Sequence, residues 1–532
     1  MTKTTEPVLV IEDLSVSFRT GRSLTEAVKG VSVEIAAGET LAIVGESGSG
    51  KSTTAAAVNR LLADNAVLTS GRILFQGSDV ATLSAREMQV IRGAGIGLVP
   101  QDPMSNLNPV MRIGDQIAEA LEVHDLAAGA DLRQRVIELL TMVGITEPER
   151  RLRQYPHEFS GGMRQRVLIA MGLACRPALL IADEPTSALD VTVQRRILDQ
   201  LDELTGELGT AVLLITHDLA LAAERADRVA VMQAGEVVES GPAAEVMRDP
   251  QHPYTQRLLG AIPALNARTK EPRDGATGAD LISVENLIKE YPTGGGRQFR
   301  AVDEVSLTVP RGTTVSIVGE SGSGKSTVAN MILGLTEPTS GTISLDGEPR
   351  PQNRAGLKAF RRRVQPVFQN PYASLDPRFT VARSIAEPLK VHRIGDDRSR
   401  RARVDELLEQ VALPSAMANR LPHQLSGGQR QRVAIARALA LGPELVVLDE
   451  AVSALDVLVQ QQILDLLADL QDRLGLSYLF ISHDLAVVRM ISDTVHVMKS
   501  GQVVESGPPT EIFDNPQQDY TRELLAAIPR GA

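Results

Sequence analysis

The chain has 532 residues, 43% hydrophobic and 23% charged, and this ordinary globular composition excludes a disordered tail protein, a collagen-like chain and a small disulfide scaffold. Its 55 basic and 66 acidic residues give a formal net charge of −11, which argues against a broad surface for nucleic acid but allows a local phosphate site. The single cysteine, Cys175, excludes an intrachain disulfide and a multi-cysteine metal centre.

We expect neither a membrane span nor a signal peptide from the distribution of the hydrophobic residues. The longest apolar runs have the length of strands and fall short of the roughly 20 residues that a spanning helix needs. The segment Met1–Pro7 lacks the charged and then apolar layout of a signal peptide. We therefore expect a cytoplasmic protein whose membrane role, if it has one, is exercised through partners.

The sequence contains one domain twice. The segment Gly45–Thr53 returns unchanged as Gly319–Thr327, at an offset of 274 positions. A serine, a glutamate and a histidine then recur at a constant offset of 266 positions, as Ser160 and Ser426, Glu184 and Glu450, and His217 and His483. Between the copies, residues 266–280 are polar and rich in helix breakers, which predicts a linker between a first domain at 1–265 and a second at 281–532.

Short apolar runs alternate with helical patterns in both copies. The predicted strands are Thr40–Val44, Leu179–Ala182 and Val212–Thr216 in the first copy, and Thr314–Val318, Leu445–Leu448 and Tyr478–Ser482 in the second. The predicted helices include Val191–Leu204 and Val457–Leu470. This alternation predicts an α/β fold with a mostly parallel sheet.

A phosphate-binding loop follows the first of these strands in each copy. The pattern Gly-x4-Gly-Lys-Ser occupies Gly45–Ser52 and Gly319–Ser326, and each loop opens a predicted helix. Its glycines let backbone amides cradle phosphate oxygens, while the lysine can reach the β- and γ-phosphates and the serine can bind Mg²⁺. The loop residues assigned to the nucleotide are Gly45, Ser47, Gly48, Gly50, Lys51, Ser52, Thr53, Gly319, Ser321, Gly322, Gly324, Lys325, Ser326 and Thr327.

A second anion site is predicted further along each copy. The segments Ser160–Arg166 and Ser426–Arg432 begin with Ser-Gly-Gly and precede an apolar helix. A serine hydroxyl, exposed amides and the positive end of a helix dipole together favour an anion. A domain that already has a phosphate loop does not need this site for its own nucleotide, so we expect it to serve a nucleotide held by another copy.

Two carboxylates end the next predicted strand of each copy. Asp183 and Asp449 are expected to hold Mg²⁺, and Glu184 and Glu450 to orient and polarise the attacking water. His217 and His483 end a further strand, and we expect them to contact the γ-phosphate. His157 and His423 also recur, and they are interpreted as structural.

The order of these motifs resembles that of the ATP-binding cassette (ABC) ATPases over nearly the whole chain. The resemblance implies two tandem P-loop domains, each with a RecA-like core, a helical subdomain and a short C-terminal extension. It implies ATP and Mg²⁺ as cofactors, with Gln101 and Gln369 sensing Mg²⁺ and the transmembrane partner, and Phe18 and Tyr291 stacking on adenine. The segments Ser187–Asp190 and Ser453–Asp456 match a further family motif.

In this family the nucleotide is held in a head-to-tail sandwich. The resemblance therefore implies that the loop of Lys51 faces Ser426, Gly427, Gly428 and Gln429, and that the loop of Lys325 faces Ser160, Gly161, Gly162 and Met163. These two four-residue segments, Ser426–Gln429 and Ser160–Met163, are the signatures of the two halves. They differ at the fourth position, where the Gln429 amide can form hydrogen bonds and the Met163 thioether cannot usefully do so. We expect two hydrolytic sites with unequal rates.

The ends of the two halves carry a narrower resemblance. The segment Glu239–Pro263 returns as Glu505–Pro529, with Glu-Ser-Gly-Pro at its start and Tyr-Thr in its middle. It is similar to the C-terminal extension of importer ATPases for oligopeptides, dipeptides and nickel. The cysteine cluster that many members carry in this extension is absent, so no iron–sulfur centre is implied.

This second resemblance implies the energy-coupling ATPase of an importer for dipeptides or oligopeptides. Its partners would be two transmembrane permeases and an extracytoplasmic peptide-binding protein, with the chain bound peripherally on the cytoplasmic side of the membrane. Dipeptides, longer peptides, peptide antibiotics, glutathione and chelated metals all remain open as cargo.

Three alternative functions fit the sequence less well. A tandem cassette ATPase that acts on ribosomes would carry a long basic linker, whereas residues 266–280 are short and of mixed charge. A DNA-repair ATPase of the cassette class would need zinc-binding cysteines. A tandem sugar-importer ATPase often has one degraded phosphate loop, and both loops are intact here.

Overall fold

The computed structural model describes residues 6–21, 23–186, 189–262, 279–293, 297–370, 374–453 and 455–529. These residues form two compact units, the first from the N-terminal half and the second from the C-terminal half of the chain. Each unit contains one copy of the repeated motifs.

The first unit contains ten strands and eleven helices among its described residues. The strands are β1 (Pro7–Thr20), β2 (Ser23–Ala36), β3 (Thr40–Val44), β4 (Ala66–Phe75), β5 (Ser78–Asp79), β6 (Ile96–Val99), β7 (Leu179–Asp183), β8 (Ala211–Thr216), β9 (Arg228–Gln233) and β10 (Glu236–Pro242). The helices are α1 (Lys51–Val58), α2 (Ala85–Ala94), α3 (Pro103–Asn106), α4 (Ile113–Glu122), α5 (Gly129–Met142), α6 (Pro148–Arg151), α7 (Gly161–Leu173), α8 (Val191–Leu208), α9 (Leu219–Arg225), α10 (Ala243–Arg248) and α11 (Pro253–Ala261).

The described part of the second unit repeats the order of the strands and contains nine helices. Its strands are β11 (Asp280–Thr293), β12 (Arg297–Pro310), β13 (Thr314–Val318), β14 (Ser340–Leu345), β15 (Glu348–Pro349), β16 (Val364–Val367), β17 (Leu445–Asp449), β18 (Ser477–Ser482), β19 (Thr494–Lys499) and β20 (Gln502–Gly507). Its helices are α12 (Lys325–Ile332), α13 (Arg354–Arg363), α14 (Val381–Val391), α15 (Asp397–Gln410), α16 (Gly427–Leu439), α17 (Val457–Leu474), α18 (Leu485–Ile491), α19 (Pro509–Asp514) and α20 (Asp519–Ala526).

A six-stranded sheet forms the centre of each unit. Its order is β10-β9-β3-β8-β7-β6 in the first unit and β16-β17-β18-β13-β19-β20 in the second. Five strands of each sheet are parallel, and the edge strand β10 or β20 is antiparallel. The predicted α/β fold with a mostly parallel sheet is therefore confirmed.

The parallel register brings the functional strand ends to one edge of the sheet. Val44 pairs with Thr216, and Asp183 pairs with Ile215, so β3, β7 and β8 end side by side. The residues that follow these strands are the phosphate loop, Glu184 and His217. A ligand is expected at this edge, because open α/β sheets bind at the carboxyl ends of their strands.

A second, antiparallel sheet of four strands lies in each unit, ordered β2-β1-β4-β5 and β12-β11-β14-β15. The apolar pattern of the sequence does not predict this sheet. Its long strands contain bulges that interrupt the alternation of apolar and polar residues. Between β1 and β2, for example, the register shifts between Ile11 and Leu14, where Asp13 adopts a φ of 48°.

The predicted helices after the carboxylate strands are longer than expected. The helices α8 and α17 end at Leu208 and Leu474, one turn beyond the predicted ends at Leu204 and Leu470. Each stops at a glycine with a φ of 65°, Gly209 or Gly475, which provides the left-handed residue that commonly ends a helix.

The predicted linker lies mostly outside the described residues. Asp280, predicted to be the last residue of the linker, is the first residue of β11. No helix within the described ranges is long and apolar enough to cross a membrane.

Candidate active site

The phosphate loops have the backbone conformation that their glycines permit. Gly45 and Gly50 have φ values of 159° and 105°. A Cβ atom would lie 2.2 Å from the Met232 carbonyl oxygen at Gly45, and 2.6 Å from the Ala27 carbonyl oxygen at Gly50. No larger residue fits at either position without moving the backbone.

The loop of the second unit is built in the same way. A Cβ atom at Gly319 would lie 2.2 Å from the Met498 carbonyl oxygen, and one at Gly324 would lie 2.5 Å from the Ala301 carbonyl oxygen. Gly50 and Gly324 are also the N-caps of α1 and α12, so each loop leads directly into the start of a helix.

The loop lysines are buried against the loop itself. The Lys51 Nζ atom donates to the Gly45 and Glu46 carbonyl oxygens at 2.7 and 2.9 Å, and only 5% of the residue is exposed. Lys325 donates to the Gly319 and Glu320 carbonyl oxygens, both at 2.8 Å. Each ammonium group is thereby fixed inside the curve of its loop.

A hydroxyl and a carboxylate meet beside each loop. The Ser52 Oγ atom donates to Asp183 Oδ1 at 3.0 Å, and Ser326 donates to Asp449 at 3.1 Å. Burial raises the pKa of Asp183 and of Asp449 above the ordinary value, which means that each carboxylate is poorly solvated. Mg²⁺ prefers oxygen ligands, and each site offers a serine hydroxyl and an aspartate carboxylate side by side. The residues present therefore fit this ion.

Two side chains hold the carboxylate of Glu184. The Gln101 amide donates to Glu184 Oε2 at 2.7 Å, and His217 Nδ1 lies 3.2 Å from Oε1. Burial by itself raises the pKa of Glu184, but the hydrogen bond and charge of His217 and the charge of Lys51 outweigh it and keep the pKa below its usual value. The carboxylate is thus fixed in its ionised form.

The pKa of His217 is shifted in the opposite direction from that of Glu184. Burial alone lowers the pKa of His217, but the contact with Glu184 outweighs burial and raises it above the ordinary value. The same arrangement occurs in the second unit, where Gln369 donates to Glu450 at 2.6 Å and His483 Nδ1 lies 3.4 Å from it. The pKa of Glu450 is likewise lowered and that of His483 raised.

Both glutamates have an unusual backbone. Glu184 and Glu450 have φ values of 45° and 48°, a left-handed conformation that costs a residue with a side chain. Each amide donates to a carbonyl of the neighbouring strand, Ile215 at 2.8 Å or Ile481 at 2.9 Å. The turn directs the chain sharply away from the strand end immediately after the aspartate.

The predicted anion sites begin the helices α7 and α16, as expected. Ser160 and Ser426 are the N-caps, and their Oγ atoms accept from the amides of Met163 and Gln429, both at 3.3 Å. In the second unit, Gln429 Oε1 also accepts from the Ser426 amide at 3.1 Å, which completes a capping box. Met163 cannot provide this contact, so the two helix starts differ.

The second glycine of each signature has a packing role that the sequence alone does not predict. A Cβ atom at Gly162 would lie 2.7 Å from the Val193 Cγ1 atom of α8, and one at Gly428 would lie 2.4 Å from Val459 Cγ1 of α17. Gly161 and Gly427 have more space, with nearest atoms at 3.4 and 3.6 Å. The glycine and the valine that it faces are about 30 positions apart in the sequence. Their contact could therefore be recognised only once the tertiary fold was known.

The remaining predicted residues lie on the loops and on the antiparallel sheets. Half-buried Phe18 is on β1, and Tyr291 is on β11 with the Lys289 ammonium 5.2 Å from its ring centre. The serine and glycine at the loop tips are exposed, and the threonines that follow the metal-binding serines are half-buried: Ser47, Gly48, Thr53, Ser321, Gly322 and Thr327. A stacking role for Phe18 and Tyr291 stays a prediction.

Parts of one predicted motif lie outside the described residues, namely Ser187, Ala188 and Ala454. His157 and His423 are exposed, and His157 stacks on Tyr155 with ring centres 5.7 Å apart. Both histidines lie in short 3₁₀ turns that lead into the signature helices.

The sequence matches two known families. The ABC transporter family matches residues 28–187 and 302–453. The C-terminal region of oligopeptide and dipeptide transporters matches residues 238–289 and 504–532. The two matches alternate along the chain, and each occurs once per copy.

Curated relatives match the chain along nearly its whole length. The peptidoglycan transport ATP-binding protein YejF of Agrobacterium fabrum is 49% identical over 98% of this chain and 96% of its own. The glutathione import ATP-binding proteins GsiA of Shigella sonnei and of Escherichia coli K12 are each 46% identical over 98% of this chain and 89% of their own. The chain therefore belongs to the ABC transporter family, as an import ATP-binding protein with two fused ATPase cassettes of the oligopeptide and dipeptide type.

Proposed function

We propose that this ATPase drives the import of short peptides, including glutathione and the peptides of peptidoglycan. Two transmembrane permeases and an extracytoplasmic binding protein would be its partners, and it would act on the cytoplasmic side of the membrane. The observation that carries the proposal is the C-terminal extension of oligopeptide and dipeptide transporters, present in both halves. That extension favours an importer over an ATPase that acts on ribosomes.

The relatives narrow the cargo class. Their names assign them glutathione, which is a tripeptide, and peptidoglycan, which carries short peptides. We propose a cargo of similar size and chemistry for this chain, selected by the binding protein and the permeases.

The residues of each unit have distinct roles in the proposed hydrolysis. Lys51 and the amides of its loop bind the β- and γ-phosphates, and Phe18 stacks on the adenine. Glu184, held ionised by Gln101 and His217, orients and polarises the attacking water. His217 lies close enough to this carboxylate to fix its direction while it contacts the γ-phosphate.

The second unit has the same roles on its own residues. Lys325, Tyr291 and Glu450 correspond to Lys51, Phe18 and Glu184, and the carboxylate of Glu450 is held by Gln369 and His483. Both units therefore have a complete set of these groups, and we propose that both hydrolyse ATP.

We propose that Mg²⁺ accompanies ATP at both sites. Ser52 and Asp183, with the amide oxygen of Gln101, would hold it in the first unit, and Ser326, Asp449 and Gln369 in the second. The ion would neutralise charge on the phosphate oxygens. We further propose that each nucleotide is completed by the signature serine of the other half, Ser426 or Ser160, as the family resemblance implies.

Uptake by a strain that lacks this gene tests the cargo. Labelled glutathione, a dipeptide and a peptidoglycan-derived tripeptide would be offered separately, with re-expression of the wild-type chain as the control. We expect uptake of at least one of these peptides to fall to background and to return on re-expression. Unchanged uptake of all three in the deletion strain, with loss of uptake of a sugar or a metal chelate, would contradict the proposal.

A further inference from the structure

The C-terminal extension of each unit contacts the phosphate loop through one tyrosine. Tyr254 on α11 and Tyr520 on α20 are buried, with 1% and 7% of each residue exposed. The Tyr254 hydroxyl oxygen accepts a hydrogen bond from the backbone amide of Glu46 at 3.0 Å, and that of Tyr520 accepts from Glu320 at 3.1 Å. The tyrosine and the loop residue are about 200 positions apart in both units, with separations of 208 and 200.

The amide that each tyrosine contacts belongs to the peptide group that holds the loop lysine. The Glu46 amide and the Gly45 carbonyl belong to one planar group, and that carbonyl accepts from Lys51 Nζ at 2.7 Å. Because the N–H and C=O of a trans peptide point in opposite directions, a partner on one side fixes the direction of the other. Tyr254 and Lys51 therefore hold the Gly45–Glu46 peptide from opposite sides, as Tyr520 and Lys325 hold the Gly319–Glu320 peptide.

The tyrosine is itself anchored by the extension. The carboxylate of Glu239 accepts from the amides of Gln251 and His252, at 2.8 and 3.0 Å, just before α11. In the second unit, Glu505 accepts from the amides of Gln517 and Gln518, at 2.7 and 3.2 Å, and from the Thr521 hydroxyl. Each glutamate lies on the edge strand β10 or β20, so the start of the helix is tied to the central sheet.

We propose that Tyr254 and Tyr520 are positioning residues that set the direction of the loop peptide and, through it, the place of the phosphate-binding lysine. The extension would thereby tune the affinity of each unit for the nucleotide phosphates. This inference rests on the proposed binding of ATP at the two loops. The positioning role of the tyrosines and the binding of ATP can be contradicted independently of each other.

The changes Tyr254→Phe and Tyr520→Phe, singly and together, remove only the hydroxyl groups. Tyr478→Phe is the matched control. Tyr478 is buried in the second unit, its hydroxyl donates to the Leu467 carbonyl oxygen at 2.9 Å, and it pairs with Thr314 at the end of β13 far from the loop. For each full-length variant, the dissociation constant of a fluorescent ATP analogue, the KM and kcat of ATP hydrolysis, and the thermal unfolding temperature would be measured.

We expect the double variant to bind the ATP analogue about 2- to 10-fold more weakly than wild type, the factor that corresponds to one ordinary neutral hydrogen bond. The KM for ATP should rise by a similar factor, with a smaller change in kcat, while Tyr478→Phe lowers the unfolding temperature and leaves nucleotide affinity unchanged. A dissociation constant unchanged in the double variant, or weakened equally by Tyr478→Phe, would overturn the positioning role. Failure of the wild-type chain to bind the analogue would instead overturn the proposed function.

Discussion

The side-chain amide of Gln101 donates to the carboxylate of Glu184 across 2.7 Å, joining two segments that lie 83 positions apart in the sequence. Its counterpart in the second unit, Gln369, reaches Glu450 across 2.6 Å. The glutamine follows β6 and the glutamate follows β7, which are neighbours in the sheet. A movement of the segment after β6 would therefore move the carboxylate that we assign to the attacking water.

The first prediction concerns these two glutamates. The changes Glu184→Gln and Glu450→Gln, made together, should lower ATP hydrolysis by about 10²- to 10⁴-fold, because a positioned base contributes a factor of that size. ATP binding should persist, since neither carboxylate belongs to the phosphate loop. Hydrolysis and binding by the purified chain would be measured in parallel.

The single changes test whether both sites hydrolyse. Each should impair ATP hydrolysis and transport by the reconstituted transporter, and Glu236→Gln, at an exposed position of the edge strand β10, is the control. A single variant at Glu184 or Glu450 that matches wild type would show that its site is not needed for turnover.

The second prediction concerns the close approach of the signature helix to the helix that follows. Gly428→Ala should lower the free energy of unfolding by about 1–3 kcal/mol, because its new Cβ would lie 2.4 Å from the stiff, β-branched Val459. Gly162→Ala should act in the same direction against Val193. Chemical denaturation of the full chain measures both.

Neighbouring glycines provide the matched controls. At Gly427 and Gly161 a Cβ atom would lie at ordinary distances of 3.6 and 3.4 Å, so alanine should cost little stability there. Equal destabilisation at the first and second glycines would show that helix packing is not the cause.

The third prediction follows from the unequal helix caps. Gln429→Met should remove the contact to the Ser426 amide and lower stability by about 0.5–1 kcal/mol, and Met163→Gln should raise it by a similar amount. ATP hydrolysis should change by no more than about tenfold in either variant, because the serine cap and the helix dipole remain. Thermal unfolding and steady-state hydrolysis are the measurements, and a complete loss of hydrolysis in Gln429→Met would contradict this account.

The fourth prediction concerns acid sensitivity in the second unit. Burial lowers the pKa of His496 on β19 to about 4, and its Nδ1 atom lies 2.7 Å from the Ser506 hydroxyl. In the unfolded chain the His496 ring takes up a proton near pH 6.5, whereas in the folded chain it does so only near pH 4. The stability associated with the neutral ring is therefore fully present above pH 6.5 and is lost as the pH falls from 6.5 towards 4. Between pH 7 and pH 5 the loss should be about 2 kcal/mol.

Denaturant unfolding of wild type and His496→Ala at pH 7 and pH 5 measures this effect. The variant is expected to be less stable at pH 7 but to lose less stability on acidification. The first unit serves as an internal comparison, because Ala230 on β9 occupies the equivalent position and does not titrate. An unchanged pH dependence in the variant would assign the acid sensitivity to other groups.

The sequence predicts those structural features that depend only on residues close together in the chain. The phosphate loop, the carboxylate pair at the end of β7 and the serine cap of α7 are each specified within a few positions, because a tight turn or a helix start imposes its own residue types. The parallel sheet is also predictable, since buried strands and helices alternate.

The sequence does not predict contacts that depend on the meeting of distant segments. The Gln101–Glu184 hydrogen bond, the packing of Gly162 on Val193 and the contact of Tyr254 with the phosphate loop each arise from tertiary structure. The antiparallel sheet is missed for a different reason, since the bulge near Asp13 removes the alternation by which strands are recognised.

The left-handed backbone at Glu184 and Glu450 has a consequence for engineering. Glycine adopts this conformation without strain, and asparagine does so more readily than glutamate, so replacement of either glutamate by one of them would relax the backbone and remove a half-buried carboxylate. A laboratory screen that rewards only resistance to heat would therefore enrich inactive proteins at these two positions. A screen for thermostable variants of this ATPase should therefore measure ATP turnover as well as resistance to heat.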